Sequence, residues 1–238
     1  MLDLLTEHQL AACIGLLGGV LLGLAARLGR FCTLGAIEDL LYGGSSVRMR
    51  MWGIAIGVAV TSSFALIGLG LVDADQSFYL SIRWMPAASI LGGLMFGYGM
   101  ALSGNCGYGA IARLGGGDLR SFVIVLVMGV STYVVLAGPL APLRNFFFAQ
   151  QDVTTGIPPG LAHYAAAWSG LPLAAVGAAA GGLILLGSLA NAEIRNDKQA
   201  LFWSAVVGLA VTSGWAGTTH INAEGFEALP VVSHSFSA

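Results

Sequence analysis

Two cysteines in this chain sit in matching frames that could do chemistry. Cys32 lies in GRFCTLGAIEDLLYGG (29–44) and Cys106 in GNCGYGAIARLGGGD (104–118), and superposing the thiols gives the shared pattern C-x2-G-A-I-x2-L-x2-G. Gly35 and Gly109 follow their cysteines by three residues. The apolar residues beyond them, Ile37 with Leu40 and Ile111 with Leu114, have helical spacing. The spacing predicts a short helix beginning just after each cysteine. Its unpaired N–H groups and positive dipole end would lie beside the thiol, making a site suited to an anion without a permanent positive charge. The sequence contains no C-x2-C pair and no Cys/His cluster of metal-ligand spacing, so no metal or other cofactor is expected. Cys13, inside an apolar run, reads as a small buried residue and stays outside the site.

The seventh position after each cysteine carries Asp39 in the first copy and Arg113 in the second. Opposite charges at equivalent positions of facing repeats are expected to pair and balance each other's burial. Arg113 also reads as a residue that fixes topology. Arg27, Arg30, Arg48, Arg50 and Arg120 are read as topogenic.

The elements that position these residues must be membrane helices. The 238 residues are 56% hydrophobic and 9% charged, with 35 glycines, far too little polar material to cover a soluble domain. Mean hydropathy is +0.81. A net charge of −2 gives no basic excess, which argues against nucleic acid as a partner and leaves lipid as the surrounding medium. A run of roughly 20 apolar residues crosses about 30 Å of hydrocarbon. Six such runs are found, at 9–26, 51–72, 84–102, 119–137, 165–190 and 200–215. The expected fold is thus an all-α polytopic membrane protein of about six transmembrane helices, in one transport domain over residues 1–238. Its two cysteine segments are expected to be re-entrant, since irregular backbone at membrane depth must be buried in protein or line a wet cavity.

The two segments lie 74 positions apart, and the match extends upstream, with Gly19 and Gly23 opposite Gly93 and Gly97. This is an internal repeat, approximately 9–72 and 84–137. Residues 138–164 then form an external connection with an interfacial segment around Asn145 to Phe148, residues 165–217 hold further spans, and the tail from Thr218 leaves the membrane. Basic residues cluster after the first, third and fifth runs, which puts the N-terminus outside and makes the repeats parallel. The first residues carry Asp3 and Glu7 but no basic residue, so the first run is read as a retained helix.

At GRFCTLGAIEDL and GYGMALSGNCGYGAIARLGGGD the sequence resembles the YeeE/YedE family of bacterial inner-membrane sulfur-transport proteins, including the thiosulfate uptake type. The resemblance implies an hourglass-shaped helical pathway, in a bacterial inner membrane, whose pore-facing cysteines pass thiosulfate inward. Cys32 and Cys106 match two of those cysteines, within frames that include Gly104 and Asn105. Asn105 stands where the family often has glycine, and its amide could donate a hydrogen bond to substrate. Full family members resemble a longer chain with another glycine-cysteine motif near the end, so this sequence looks like about two-thirds of one. A second subunit could supply the rest, and a cytoplasmic sulfur-accepting protein is a further possible partner.

The chemistry fits a sulfur anion. Thiosulfate is a dianion with a soft terminal sulfur, and a neutral thiol is a weak donor that can hydrogen-bond that sulfur without trapping it. The expected function is a non-enzymatic importer of thiosulfate or a related sulfur anion. The alternatives are a membrane thiol or persulfide sulfur-transfer or redox protein, and a subunit of a split transporter.

Overall fold

The computed structural model describes residues 6–73, 80, 84–148, 160–224 and 231–233. Parts of the external connection (149–159) and of the tail (225–230 and 234–238) lie outside the described residues, as does Arg83. Among the described residues, the same succession of elements occurs twice. Helix α1 (Glu7–Leu28) leads through a break to the short helix α2 (Thr33–Leu41) and then to α3 (Val47–Gly68). Helix α4 (Pro86–Ser103) leads through a second break to the short α5 (Gly107–Gly115) and then to α6 (Leu119–Leu136). The short helices predicted after Cys32 and Cys106 are therefore present.

Each break turns on one left-handed residue at the same repeat position. Gly104, with φ +64°, ends α4 in the left-handed conformation that glycine adopts without steric cost. Its counterpart two residues before Cys32 is Arg30, with φ +52°, a conformation that costs a non-glycine residue about 1–2 kcal/mol. Beside it Phe31, only 2% exposed, is buried in the core and packs against Trp52, the rings tilted by 45° with centroids 4.5 Å apart. That anchor fixes the backbone entering Cys32.

Helix α5 ends on Gly117, with φ +89°. The N–H groups of Gly117 and Asp118 return to the carbonyls of Leu114 and Arg113 at 2.9 and 3.1 Å. Asp118 then caps α6. The Ser121 hydroxyl donates to its carboxylate at 2.9 Å and the Arg120 N–H at 3.0 Å, and these bonds hold Asp118 below the usual carboxylate range. A carboxyl depressed on folding stabilises fully above its unfolded pKa of about 4 and loses that contribution as pH falls through the folded value. The thermal midpoint of Asp118→Ala should accordingly lie below that of the parent at neutral pH, and the gap should close in acid. A gap that persists unchanged in acid would show that the charge of this cap contributes nothing.

Four further stretches complete the chain. Helix α7 (Ala141–Phe147) occupies the place of the expected interfacial segment and is followed by α8 (Leu161–Ser169) and α9 (Leu173–Leu189). The short α10 (Ala192–Asn196) precedes the long α11 (Lys198–Glu224). The run at 165–190, expected as one span, is a bent pair, with α8 and α9 meeting at 117°. Gly170, with φ +70°, ends α8, and Pro172, lacking an N–H, prevents its continuation. Among the described residues five helical units are long and apolar enough to cross a membrane, and six if the bent pair counts as one. The units Glu7–Leu41 and Pro86–Gly115 each include a cysteine break.

The interior is built on α3, which packs against α9 and α11, with α1 on the other side of α11. Lipid offers helices no hydrophobic drive to associate, so close backbone approach must supply the packing. At Gly57 and Gly181 the backbones of α3 and α9 meet: a Cβ on Gly181 would fall 2.8 Å from the Thr61 nitrogen and 3.1 Å from the Gly57 carbonyl oxygen. The second repeat meets this interior chiefly through α5 against α1. There the Tyr108 hydroxyl donates to the Leu22 carbonyl. Leu94, Phe122 and Val130, on α4 and α6, are left exposed, as lipid-facing side chains are.

Candidate functional site

Cys32 and Cys106 are the N-cap residues of α2 and α5, both with extended backbone. An N-cap is normally Ser, Thr, Asp or Asn, whose oxygen accepts an orphan N–H of the first turn. At Cys106 sulfur takes that place. The Gly109 N–H donates to Cys106 Sγ at 3.3 Å. The Cys32 side chain makes no cap hydrogen bond, and its thiol lies beside that of Cys106. Two helix N-termini thus converge on one thiol pair.

This pair lies at the partition between two cavities. The first, about 350 Å³, is bordered by Cys32, Gly35, Gly104, Asn105, Gly109 and Arg113. Six of the residues singled out from sequence are therefore neighbours around one space. The second, about 400 Å³, lies between α4 and α6, is almost wholly apolar, and is bordered by Cys106 and again by Asn105. Asn105 is 4% exposed, and neither its carboxamide nitrogen nor its oxygen has a hydrogen-bond partner. Such a group costs about 1–3 kcal/mol to bury unmade.

The two equivalent glycines act alike. A Cβ on Gly109 would collide with the Asn105 carboxamide oxygen, and one on Gly35 with the Arg48 guanidinium. In both copies the missing side chain lets a polar group lie flat on the first turn of the short helix.

The structure corrects one pairing. Asp39 does not pair with Arg113; its carboxylate takes Arg48 Nε at 3.3 Å. The reason is local, because the turn after α2 brings the start of α3 back alongside Asp39, whereas Arg113 belongs to the other repeat. Arg113 instead borders the first cavity together with Arg27, Arg30 and Arg48. Glu38 is the acidic residue on that wall. Arg27 also reaches across to α5, its Nη1 lying 3.0 Å from where a Cβ on Gly116 would stand. Charge counting had read Arg27, Arg30 and Arg48 only for the side of the membrane they face. The signal available in sequence was that Arg30 occupies the position where the second copy has glycine. Cys13, expected to be buried, is instead exposed on the apolar helix α1, and it borders neither cavity.

A chain that crosses the membrane repeatedly and breaks two of its helices beside a charged, thiol-bordered cavity has the build of a membrane transport protein. The chain belongs to the sulphur transport family, which it matches over residues 28–235. Among curated relatives, it is 32% identical over 123 residues to the thiosulfate transporter TsuA of Escherichia coli strain K12. That stretch is 52% of this chain and 32% of the relative. It is 27% identical over 124 residues to the TsuA thiosulfate transporter of Spirochaeta thermophila, covering 52% of this chain and 36% of that one. The probable transporter YedE of Salmonella typhimurium is 27% identical over 106 residues, 44% of this chain and 25% of its own length. The chain thus matches about a third of the length of the first relatives. The resemblance to YeeE/YedE proteins read from the cysteine frames is borne out.

Proposed function

We propose that this protein carries thiosulfate or a related sulfur anion across the bacterial inner membrane, from the outside, where its N-terminus lies, to the cytoplasm. In this reading α2 and α5, which were expected to be re-entrant and instead continue the spans Glu7–Leu41 and Pro86–Gly115 past their breaks, lie beside the pathway, and Cys32 and Cys106 are its narrow point. The observation that carries the proposal is that Cys32 borders one cavity and Cys106 the other, with Asn105 on both. An anion moving from one cavity to the other meets S–H donors and the first-turn N–H groups of two helices. Those N–H groups and dipoles favour negative charge, while the weak S–H donors grip the soft sulfur only loosely. Loose binding suits passage. A cytoplasmic sulfur acceptor and a second subunit fit the same scheme as partners.

Uptake of labelled thiosulfate into proteoliposomes containing the full chain tests this directly. The parent is expected to accumulate thiosulfate, and Cys32→Ala with Cys106→Ala to lose most of that uptake. Undiminished uptake by the double variant sinks the thiol pathway. The nearness of the two thiols also favours a second reading, in which one cysteine thiolate attacks the outer sulfur of thiosulfate, the S–S bond of thiosulfate breaks, sulfite leaves and a persulfide remains on that cysteine. That reading requires a covalent sulfur adduct in the mass spectrum of protein treated with thiosulfate, which a pathway of hydrogen bonds does not produce.

A further inference from the structure

We propose that Arg27, Arg30, Arg48 and Arg113 form a second anion site, in series with the thiol pair, which recognises the oxyanion end of the substrate and takes sulfate as well as thiosulfate. The proposal deepens the transport reading, and rests on it only for passage beyond the thiols.

Four arginines and one acidic residue, Glu38, border the 350 Å³ cavity. Arg27, Arg30 and Arg113 make no salt bridge among the described residues, and Arg48 is oriented by Asp39. Like charges gathered in a chamber of a membrane protein repel one another unless an anion joins them. Guanidinium is the side chain suited to that task, since its planar fork donates paired hydrogen bonds to the oxygens of a tetrahedral anion.

Two further observations point to a ligand. Arg30 holds its left-handed backbone where the twin position uses Gly104. A strained residue kept where glycine serves the fold equally well is held there by what its side chain does. The buried, unpartnered carboxamide of Asn105 borders the same cavity and offers a further N–H donor. The hard sulfonate oxygens of thiosulfate match these donors, and its soft sulfur matches the thiols. The arginines therefore read charge and oxygen, and the cysteines read sulfur. Sulfate satisfies the first reading and fails the second.

The test is calorimetric titration of the purified full chain with sulfate and with thiosulfate at constant ionic strength, chloride serving as the salt control. Sulfate should bind the parent and the Cys32→Ala, Cys106→Ala variant alike. Thiosulfate should bind the parent more tightly than sulfate does, and lose that advantage in the cysteine variant. Arg27→Gln with Arg113→Gln should weaken both anions by about tenfold or more, the loss of roughly one charge-assisted hydrogen bond. Arg30→Gly should weaken sulfate binding while leaving the thermal midpoint unchanged or raised, because glycine relieves the strain. This variant keeps the test decisive if the double arginine variant does not fold. In liposomes, sulfate should inhibit thiosulfate uptake without itself accumulating.

Sulfate binding that neither arginine variant alters, or no sulfate binding by the parent, overturns the site. Arginine-dependent sulfate binding without any thiosulfate uptake would sink the transport reading and leave the site standing. Intact uptake without arginine-dependent binding does the reverse.

Discussion

Asn105→Leu is expected to stabilise the protein by about 1–3 kcal/mol and to cut thiosulfate uptake by about tenfold or more. Both effects come from one side chain. Its carboxamide is almost fully buried and bonds to nothing, so a leucine of similar volume removes an unmet desolvation cost. The same replacement deletes the polar group that borders both cavities and leaves an apolar plug beside Cys106. Thermal unfolding in detergent and labelled uptake in liposomes measure the two effects independently. A variant that is less stable and transports normally would show that Asn105 has a structural partner and no role in passage.

Gly181→Ala is expected to lose about 2–3 kcal/mol of stability, and Gly182→Ala, one residue on, to lose none. The contrast lies entirely in what the added methyl meets. At Gly181 it would stand 2.8 Å from a backbone nitrogen of α3, which cannot rotate aside, so α3 and α9 must separate. At Gly182 there is nothing within 4 Å, and alanine's better helix propensity favours the variant by up to about 1 kcal/mol. Equal midpoints for the two variants would mean that the α3–α9 contact does not limit unfolding.

Much of this architecture is legible in the residues. Apolar runs locate the helices because crossing lipid requires an uninterrupted length of them, and the C-x2-G frame marks the starts of α2 and α5 because helix spacing resumes there. The bend between α8 and α9 was also written, in Gly170 and Pro172, but a hydropathy run passes over two residues that change direction without changing polarity. The pairing of Asp39 failed for a different reason. Repeat symmetry matches positions in the chain, whereas Coulomb attraction follows distance, and the turn before α3 places Arg48 nearer. The convergence of Arg27, Arg30 and Arg48 on one cavity was not legible at all, since the number of basic residues in a loop does not say where their guanidiniums point.

The narrow attachment between the two repeats has a mechanical consequence. The half running from α4 to α7 meets the rest of the chain chiefly through α5 against α1, while the α1, α3, α9 and α11 interior is held by its own contacts. A joint this small leaves little packing between the two halves, and Cys106 stands at the start of the helix that makes it. In the proposed transport reading, a rotation of one half against the other would be felt first at the cysteines.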